Sequence, residues 1–183
     1  MASGAPADQT SPVNLYWRLI WLMLNIKRRP RTLLWGTTRS PFRVLPSDLD
    51  ALGHMNNAKY FGFMDLGRVD QMVRSGLWQH CQERGWYSVV ASQTIRYRRS
   101  LKPWQRFDLH TRVIGFDEKA MYIESRFMQR GTLAAHAVGQ VRFLHKKGGD
   151  VPPSAVRELI PEAPELELPA WVSTWAEAVR SAV

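Results

Sequence analysis

One helical segment followed by four consecutive strand-like segments is the feature that most restricts how this chain can fold. Long side chains recur at helical spacing in residues 58–74, and most of them are apolar: Tyr60, Phe61, Met64, Arg68 and Met72. Four β-like segments separated by turn signals follow the helix, at residues 87–100, 106–116, 121–129 and 133–145. With a short first strand at residues 39–45, this order predicts an α+β fold with an antiparallel sheet of about five strands.

Two glycines inside the predicted helix indicate where the helix lies. Gly62 and Gly67 would each destabilise an exposed helix. In a helix enclosed by a sheet, the missing side chains instead let the two backbones approach closely. We therefore expect the helix to be central, with the sheet curved around it.

Ionisable and amide side chains cluster immediately before this helix, in residues 48–60. Asn56 or Asn57 is the expected N-cap, so the helix would direct unpaired N–H groups and its positive end at whatever lies above it. Asp50 lies upstream on a turn that Gly53 permits, which places a carboxylate opposite a site suited to an oxyanion. That arrangement is typical of acyl transfer or hydrolysis. The alternative is that Asp48, Asp50 and the asparagines only form a loop and a helix cap.

Composition narrows the class of partner. The 183 residues are 45% apolar and carry a net charge of +9, which indicates an anionic partner: nucleic acid, a membrane surface, or a phosphate-bearing substrate such as coenzyme A. We do not expect nucleic acid, because no recognised nucleic-acid motif is present. Cys81 is the one cysteine, which excludes an internal disulfide and favours a reducing, cytoplasmic location. His110, His136 and His145 lack the spacing of a metal site, and we expect no cofactor.

The two ends of the chain lie outside the predicted central domain of residues 32–150. Residues 1–12 have the composition of a disordered tail. Residues 13–26 are apolar except for Asn14, Arg18 and Asn25, which fall within about 40° of one another on a helix. Residues 151–183 form a proline-rich extension that ends in a predicted surface helix at residues 170–182.

The first helix has two possible roles. It would be about 21 Å long, too short to cross a bilayer core of roughly 30 Å. It could lie in an interface as a peripheral anchor at the inner membrane surface, with the basic residues 27–31 on anionic head groups. Alternatively, it packs on the sheet or at an oligomer contact and its basic flank is solvated. A cleavable signal peptide is not expected, because the basic residues mainly follow the apolar run.

The string DLDALGHMNNAKYFGFMDLGR resembles the signature of hotdog-fold thioesterases of the 4-hydroxybenzoyl-CoA thioesterase type. It is also similar to the D-x-N-x-H-x-N-N-x-K-Y segment of plant acyl-carrier thioesterases. RVLPSDLDALGHMNNAKY and VVASQTIRYRRSLKPWQRFDLHTRV resemble in particular the branch called thioesterase superfamily member six. The likeness spans roughly residues 13–152. It implies a hotdog fold, in which a curved sheet wraps a long central helix, and hydrolysis of acyl-CoA or acyl-carrier thioesters.

The resemblance also assigns roles to the residues of this segment. The family's catalytic carboxylate, a nucleophile or a general base, falls on Asp50. Asn57 stands where some relatives have a catalytic histidine or tyrosine, and the backbone of Asn57 and Ala58 would form the oxyanion site. His54 matches the histidine of the plant enzymes, whereas Leu52 replaces their catalytic asparagine. Activity would then depend on Asp50 and backbone donors, and the alternative is a non-catalytic acyl-binding or membrane-associated hotdog protein.

A hydratase or dehydratase on the same fold is a further alternative. The pattern of those enzymes has five steps between the acid and the histidine, whereas Asp50 and His54 are four apart.

Substrate contacts are predicted on three elements. The central helix offers Tyr60, Phe61, Met64 and Asp65, although Asp65 could simply pair with Arg68. In hotdog relatives, residues at the positions of Ser92, Gln93 and Thr94 often act from the neighbouring subunit, so we expect a homodimer or tetramer. A basic cluster surrounds the turn after the second strand: Arg96, Arg98, Arg99, Lys102 and Arg106. Arg98 and Arg99 could bind the phosphates of coenzyme A or phosphopantetheine, or the cluster could be an ordinary solvated strand face.

Overall fold

A computed structural model describes residues 13–26, 28–159, 164 and 166–182, with side chains from residue 15 onward. The predicted tail at residues 1–12 lies outside the described residues. The described elements in chain order are α1 (Val13–Ile26), β1 (Thr38–Arg43), α2 (Asn57–Arg74), α3 (Leu77–Arg84), β2 (Trp86–Tyr97), β3 (Arg106–Phe116), β4 (Met121–Gln129), β5 (Thr132–His145), β6 (Asp150–Val151), α4 (Pro153–Glu158) and α5 (Ala170–Ser181).

Five long strands form one antiparallel sheet in the order β1-β3-β4-β5-β2, and the two-residue β6 pairs with β5. The five strands and their antiparallel pairing confirm the sequence prediction. Their order follows from pairing at long range: β2 pairs with β5 along its length and lies at one edge of the sheet, while β1 lies at the other. Among the described strands, β2 therefore has one side of its backbone unpaired.

α2 packs on the inner face of this sheet, which confirms the predicted central helix. Leu109 and Phe127 are opposite one another in register and are fully buried in the same core cluster as Phe63 and Met64 of the helix. Gly67 allows the close approach, since a Cβ atom there would lie 2.5 Å from Thr111 Oγ1. The sheet therefore wraps around the central helix, as the likeness to hotdog proteins implies.

α5 covers part of the opposite, outer face of the sheet. Val172 and Ala176 are buried against Tyr122 and Val138. At the end of the helix, Arg180 donates to Asp117 at 2.6 Å. The predicted surface helix is therefore present and has one side in a small core of its own.

α1 packs on α2 with one side only. Leu22 and Ile26 are buried, and Leu15 lies over Gly62, whose added Cβ would be 3.2 Å from Leu15 Cδ1. Gly62 therefore serves the contact with α1 and not the contact with the sheet. Arg29, expected in a solvated or lipid-facing flank, instead forms an ion pair with the buried Asp70 at 3.1 Å.

No helix among the described residues is long and apolar enough to span a membrane.

The two glycines of α2 give opposite predictions. Gly67→Ala should lower the free energy of unfolding by about 1–2 kcal/mol, because overpacking against Thr111 and Leu109 outweighs the gain in helix propensity. Gly62→Ala should be neutral or stabilise by up to about 1 kcal/mol, because only the flexible end of Leu15 must move. Urea denaturation of both variants measures this difference. Equal effects would show that α2 is not packed on the sheet through Gly67.

Candidate functional site

Asp50 lies on a short turn that its own carboxylate helps to close. Oδ1 accepts the N–H of Leu52 at 2.9 Å and the N–H of His54 at 3.1 Å. The Asp50 N–H donates to the His54 carbonyl at 2.8 Å. Oδ1 therefore stabilises the loop, as predicted by the alternative in which these residues form a loop and a helix cap. Oδ2 accepts no hydrogen bond from the residues that the structure describes, and the side chain is partly exposed, so this oxygen can reach water or a substrate.

The start of α2 follows directly. Asn56 is the N-cap, and its side-chain oxygen accepts the N–H of Ala58 at 2.9 Å. The cap thus occupies the Ala58 donor, which the sequence had assigned to an oxyanion. The N–H of Asn57 donates to no acceptor in the described part of the chain, and Asn57 is exposed. Asn57 is therefore the first backbone donor of the helix that remains open to a ligand.

The end of β2 lies against the start of α2. The Tyr97 hydroxyl donates to the Asn57 carbonyl at 3.4 Å, and the Tyr97 ring meets the Tyr60 ring edge-on with centroids 4.9 Å apart. The Met55 N–H donates to the Leu101 carbonyl at 2.8 Å. These contacts hold the segment after β2 beside the Asp50 turn.

Arg98 and Arg99 follow Tyr97 on that segment. Both N–H groups donate to the Ala134 carbonyl, at 2.8 and 3.0 Å, and both side chains are exposed. Of the predicted site residues, the structure thus places Asp50 and His54 on one turn, Asn57 at the first position of α2 just after it, and the two arginines on the segment that contacts the start of α2. The His54 imidazole makes no hydrogen bond to any described residue, so none of these residues fixes its tautomer.

The predicted pocket residues of α2 differ in depth. Tyr60 and Met64 are fully buried core residues, and Phe61 is partly buried against the same core. Burial raises the pKa of Tyr60 to about 12, so its hydroxyl stays protonated at neutral pH. These side chains support the site from below.

The three predicted site residues of β2 lie on opposite faces of the sheet. Gln93 is opposite Gly139 on the face toward α2, and Ser92 is opposite Gln140 on the outer face, as is Thr94 two residues on. The Ser92 hydroxyl donates to Gln140 Oε1 at 2.7 Å. Only Gln93 points inward, and its buried Oε1 has no hydrogen-bond partner among the described residues.

Asp65 and Arg68 form the predicted pair on α2. Arg68 is buried, and burial lowers its pKa against the opposing effect of Asp65, whose carboxylate is exposed. A Cβ atom at Gly139 would lie 3.9 Å from Arg68 Nη1 and 4.0 Å from Gln93 Cβ. The arginine therefore lies over Gly139 beside Gln93, so a polar patch lies between α2 and the edge strand β2.

The partner of Asp48 was not predicted from the sequence. Its carboxylate is buried and accepts from Arg18 at 2.6 Å and from the Leu45 N–H at 2.8 Å, while its carbonyl accepts the Asn56 N–H at 2.8 Å. Asp48 is thus a loop former, as predicted. The signal for its partner was Arg18, the one charged residue of an otherwise apolar helix.

A wide cleft lies elsewhere. It has a volume of about 1100 Å³ between α1 and the β1 edge of the sheet, and of the residues discussed as substrate contacts only Arg106 of the basic cluster lines it. The described residues also contain no group of three metal-ligating side chains.

The chain is similar to known proteins over most of its length. The model of the thioesterase-like superfamily matches residues 44–175. The Xenopus laevis protein named THEM6 is 48% identical over 85 residues, which cover 46% of this chain and 41% of that protein, so the match spans less than half the relative's length.

Two solved structures show a similar fold. The YbaW protein of Escherichia coli, described as a probable thioesterase, has a TM-score of 0.62 and 21% identity over 66% of this chain and 93% of that one. A thioesterase of Thermus thermophilus, solved with coenzyme A and Zn, has a TM-score of 0.57 and 27% identity over 67% of this chain and 90% of that one.

The cap at Asn56 gives a testable consequence. Asn56→Ala should lower the free energy of unfolding by about 1 kcal/mol, because Ala58 loses its side-chain acceptor, whereas Asn56→Asp should keep the cap. Thermal and urea unfolding of the two variants measures the difference. If both variants lose the same stability, the bond from Ala58 to Asn56 contributes nothing.

Proposed function

Because the chain belongs to the thioesterase-like superfamily, we propose that it hydrolyses acyl thioesters of coenzyme A or of an acyl carrier protein at the Asp50 turn. The observation that carries this proposal is the asymmetry of the Asp50 carboxylate. One oxygen is held by two backbone N–H groups, and the other is left open next to the capped start of α2. A fixed carboxylate beside a helix N-terminus suits attack on a carbonyl.

The proposed chemistry uses Asp50 Oδ2 in one of two ways. It attacks the thioester carbonyl carbon and forms an anhydride that water then hydrolyses, or it takes a proton from a water molecule that attacks the carbonyl. In both cases the carbonyl oxygen gains negative charge, which the Asn57 N–H and the positive end of α2 stabilise. Collapse of this tetrahedral intermediate breaks the C–S bond and expels the thiolate, which leaves the anhydride when Asp50 attacks and the free acid when water attacks. The thiolate takes its proton from solvent water in the first route and from the protonated Asp50 in the second. His54 lies on the same turn, and the Asn57 amide can donate to the carbonyl but cannot transfer a proton.

The basic segment after β2 supports a phosphate-bearing substrate. Arg98 and Arg99 are exposed on the segment that contacts the start of α2, and a guanidinium binds phosphate bidentately. The Thermus thermophilus relative was solved with coenzyme A, which fits the same class of substrate. We assign these two arginines to the nucleotide phosphates or to the phosphopantetheine phosphate of a carrier.

A homodimer is proposed through β2. This strand has 12 residues, and one of its sides pairs with no strand that the structure describes. It carries the exposed side chains Tyr87, Val90 and Tyr97. An open edge of this length is normally paired or covered. Pairing with the same strand of a second copy would bring the partner close to Gln93 and Asp65.

The second candidate function is acyl binding without turnover. It is favoured by the absence of a hydrogen-bond partner for the His54 imidazole among the described residues, and by Asn57, which cannot shuttle a proton. A panel of acyl-CoAs of several chain lengths, assayed for release of free thiol, separates the two candidates. Rapid release from any of them would eliminate the binding-only function.

Replacing Asp50 tests the proposed chemistry. Asp50→Asn keeps an acceptor for Leu52 and His54, so it should leave the melting temperature unchanged while kcat/KM falls about 10²- to 10⁴-fold. Asp150→Asn is the matched control, since Asp150 lies on the short strand β6 and has an exposed carboxylate paired with Arg142. An Asp50→Asn enzyme with the full rate would show that this carboxylate does not react.

The proposed dimer has its own measurement. Light scattering at micromolar concentration should give a mass of twice 21.1 kDa, or a multiple of it. Val90→Lys should shift the mass toward the monomer, because it places a charge on the exposed edge. A monomeric parent chain would contradict the assembly while leaving the Asp50 test unaffected.

A further inference from the structure

α1 turns its apolar side outward and its charged residue inward. Large apolar side chains cover about 160° of the helix at ~100° per residue and are exposed: Tyr16, Trp17, Ile20, Trp21, Met23 and Leu24. We call this set the aromatic face. The exposed fraction is 66% for Trp17 and 72% for Leu24, whereas Leu22 is fully buried. A helix on a water-exposed surface normally has the opposite arrangement, with its polar side in solvent.

Arg18 fixes α1 in this orientation. Its guanidinium donates to Asp48 at 2.6 Å and to the Arg43 carbonyl at 3.2 Å, and it lies 4.7 Å from the centre of the Phe63 ring. Rotating the helix to hide the aromatic face would withdraw this cation from a buried carboxylate. The outward apolar side is therefore a stable feature of the fold.

The cleft of about 1100 Å³ borders the aromatic face and has an arginine rim. Trp17 and Trp21 line it from α1, and apolar side chains line it together with four arginines outside α1, which we call the arginine rim: Arg39, Arg43, Arg106 and Arg130. Asp108 is the one acidic residue among the described lining residues, and it is already paired with Arg39 at 2.8 Å. Arg43, Arg106 and Arg130 form no ion pair with any residue that the structure describes, so aromatic side chains and unpaired guanidinium groups share one surface.

We propose that the aromatic face and the arginine rim dock on the surface of an anionic lipid bilayer. Tryptophan and tyrosine favour the boundary between hydrocarbon and head groups, and arginine binds lipid phosphate. A helix with an apolar face of this kind lies in the plane of the interface, with that face turned toward the acyl chains. The inference concerns binding and goes beyond thioester hydrolysis.

Other occupants fit the surface less well. Nucleic acid would satisfy the arginines but would leave Ile20 and Leu24 in water. A second copy related by a two-fold axis would cover the apolar face but would bring two arginine rims together. Anionic lipid satisfies both parts of the surface.

Flotation of the full chain with lipid vesicles tests the proposal. Binding to phosphatidylcholine vesicles containing phosphatidylglycerol should be strong, and binding to pure phosphatidylcholine weak, with a loss as salt is raised. Ile20→Ser with Leu24→Ser should reduce the partition coefficient at least ~10-fold, because both side chains are exposed and leave the fold intact when replaced. Circular dichroism and hydrolysis of a soluble short-chain acyl-CoA should be unchanged in this variant.

The role of the rim has a charge-matched control. Arg43→Gln with Arg130→Gln should lower binding to anionic vesicles ~10-fold or more, whereas Arg84→Gln with Arg157→Gln removes the same charge from exposed positions on α3 and α4 and should change it little. Equal losses in both pairs would reduce the effect to net charge and overturn the docking surface. Failure of the parent chain to float would overturn it as well, and so would concentration-dependent self-association abolished by the Ile20 and Leu24 changes without vesicle binding.

Discussion

Two buried carboxylates hold the N-terminal segment on the rest of the protein. Asp48, which precedes α2, forms an ion pair with Arg18 of α1. Asp70, near the end of α2, forms an ion pair with Arg29 from the segment after α1. Both carboxylates are almost inaccessible to water, and the loss of Arg18 from the buried Asp48 would cost about 3–5 kcal/mol. Asp70 would keep Arg74 at 3.2 Å and the Ser40 hydroxyl at 2.6 Å if Arg29 were removed, so the cost there would be smaller. Burial lowers the pKa of Arg18 against the attraction of Asp48. The position and rotation of α1 depend on these pairs.

The Asp48–Arg18 pair also supports the loop that carries the candidate reacting group. Asp48 binds Arg18 and the Leu45 N–H through its carboxylate, and it receives the Asn56 N–H on its carbonyl. Asp50 lies between that fixed residue and the capped helix. A group held on both sides needs little reorganisation when charge develops on a substrate, which is the condition for effective electrostatic stabilisation. The loop-forming and catalytic interpretations of this segment are thus compatible, because different carboxylates and different oxygens perform the two roles.

How far sequence predicts this molecule depends on the range of the interactions involved. Period-two and helical patterns are local, and they predicted the five strands and α2 nearly at their observed bounds. The position of β2 beside β5 is a long-range pairing that no local pattern encodes. The face of the sheet on which Gln93 lies could not be predicted either. The register shifts between Val90 and Ser92, and a shift of one residue reverses which side chains point inward.

The assignment of donors at the start of α2 had a similar limit. Asn56 and Asn57 are equivalent as cap residues in sequence, and only the observed bond to Ala58 shows which one caps and which N–H remains open. Arg18 is a charged residue in a mostly apolar helix, so a partner for it could be expected from the sequence. The identity of that partner, an acid 30 residues away, could not be predicted. These are choices among chemically similar residues, and only the folded geometry distinguishes them.

A series of contacts connects the aromatic face of α1 to the Asp50 turn. The aromatic face is on one side of α1, Arg18 leaves another side to reach Asp48, and Asp48 precedes the turn by two residues. Docking through the outward side chains leaves the Arg18 pair undisturbed, because none of those side chains takes part in it. The geometry therefore allows lipid contact and thioester chemistry at the same time. Residence of the chain on a bilayer would raise the local concentration of membrane-associated acyl substrates without any change in the reacting groups.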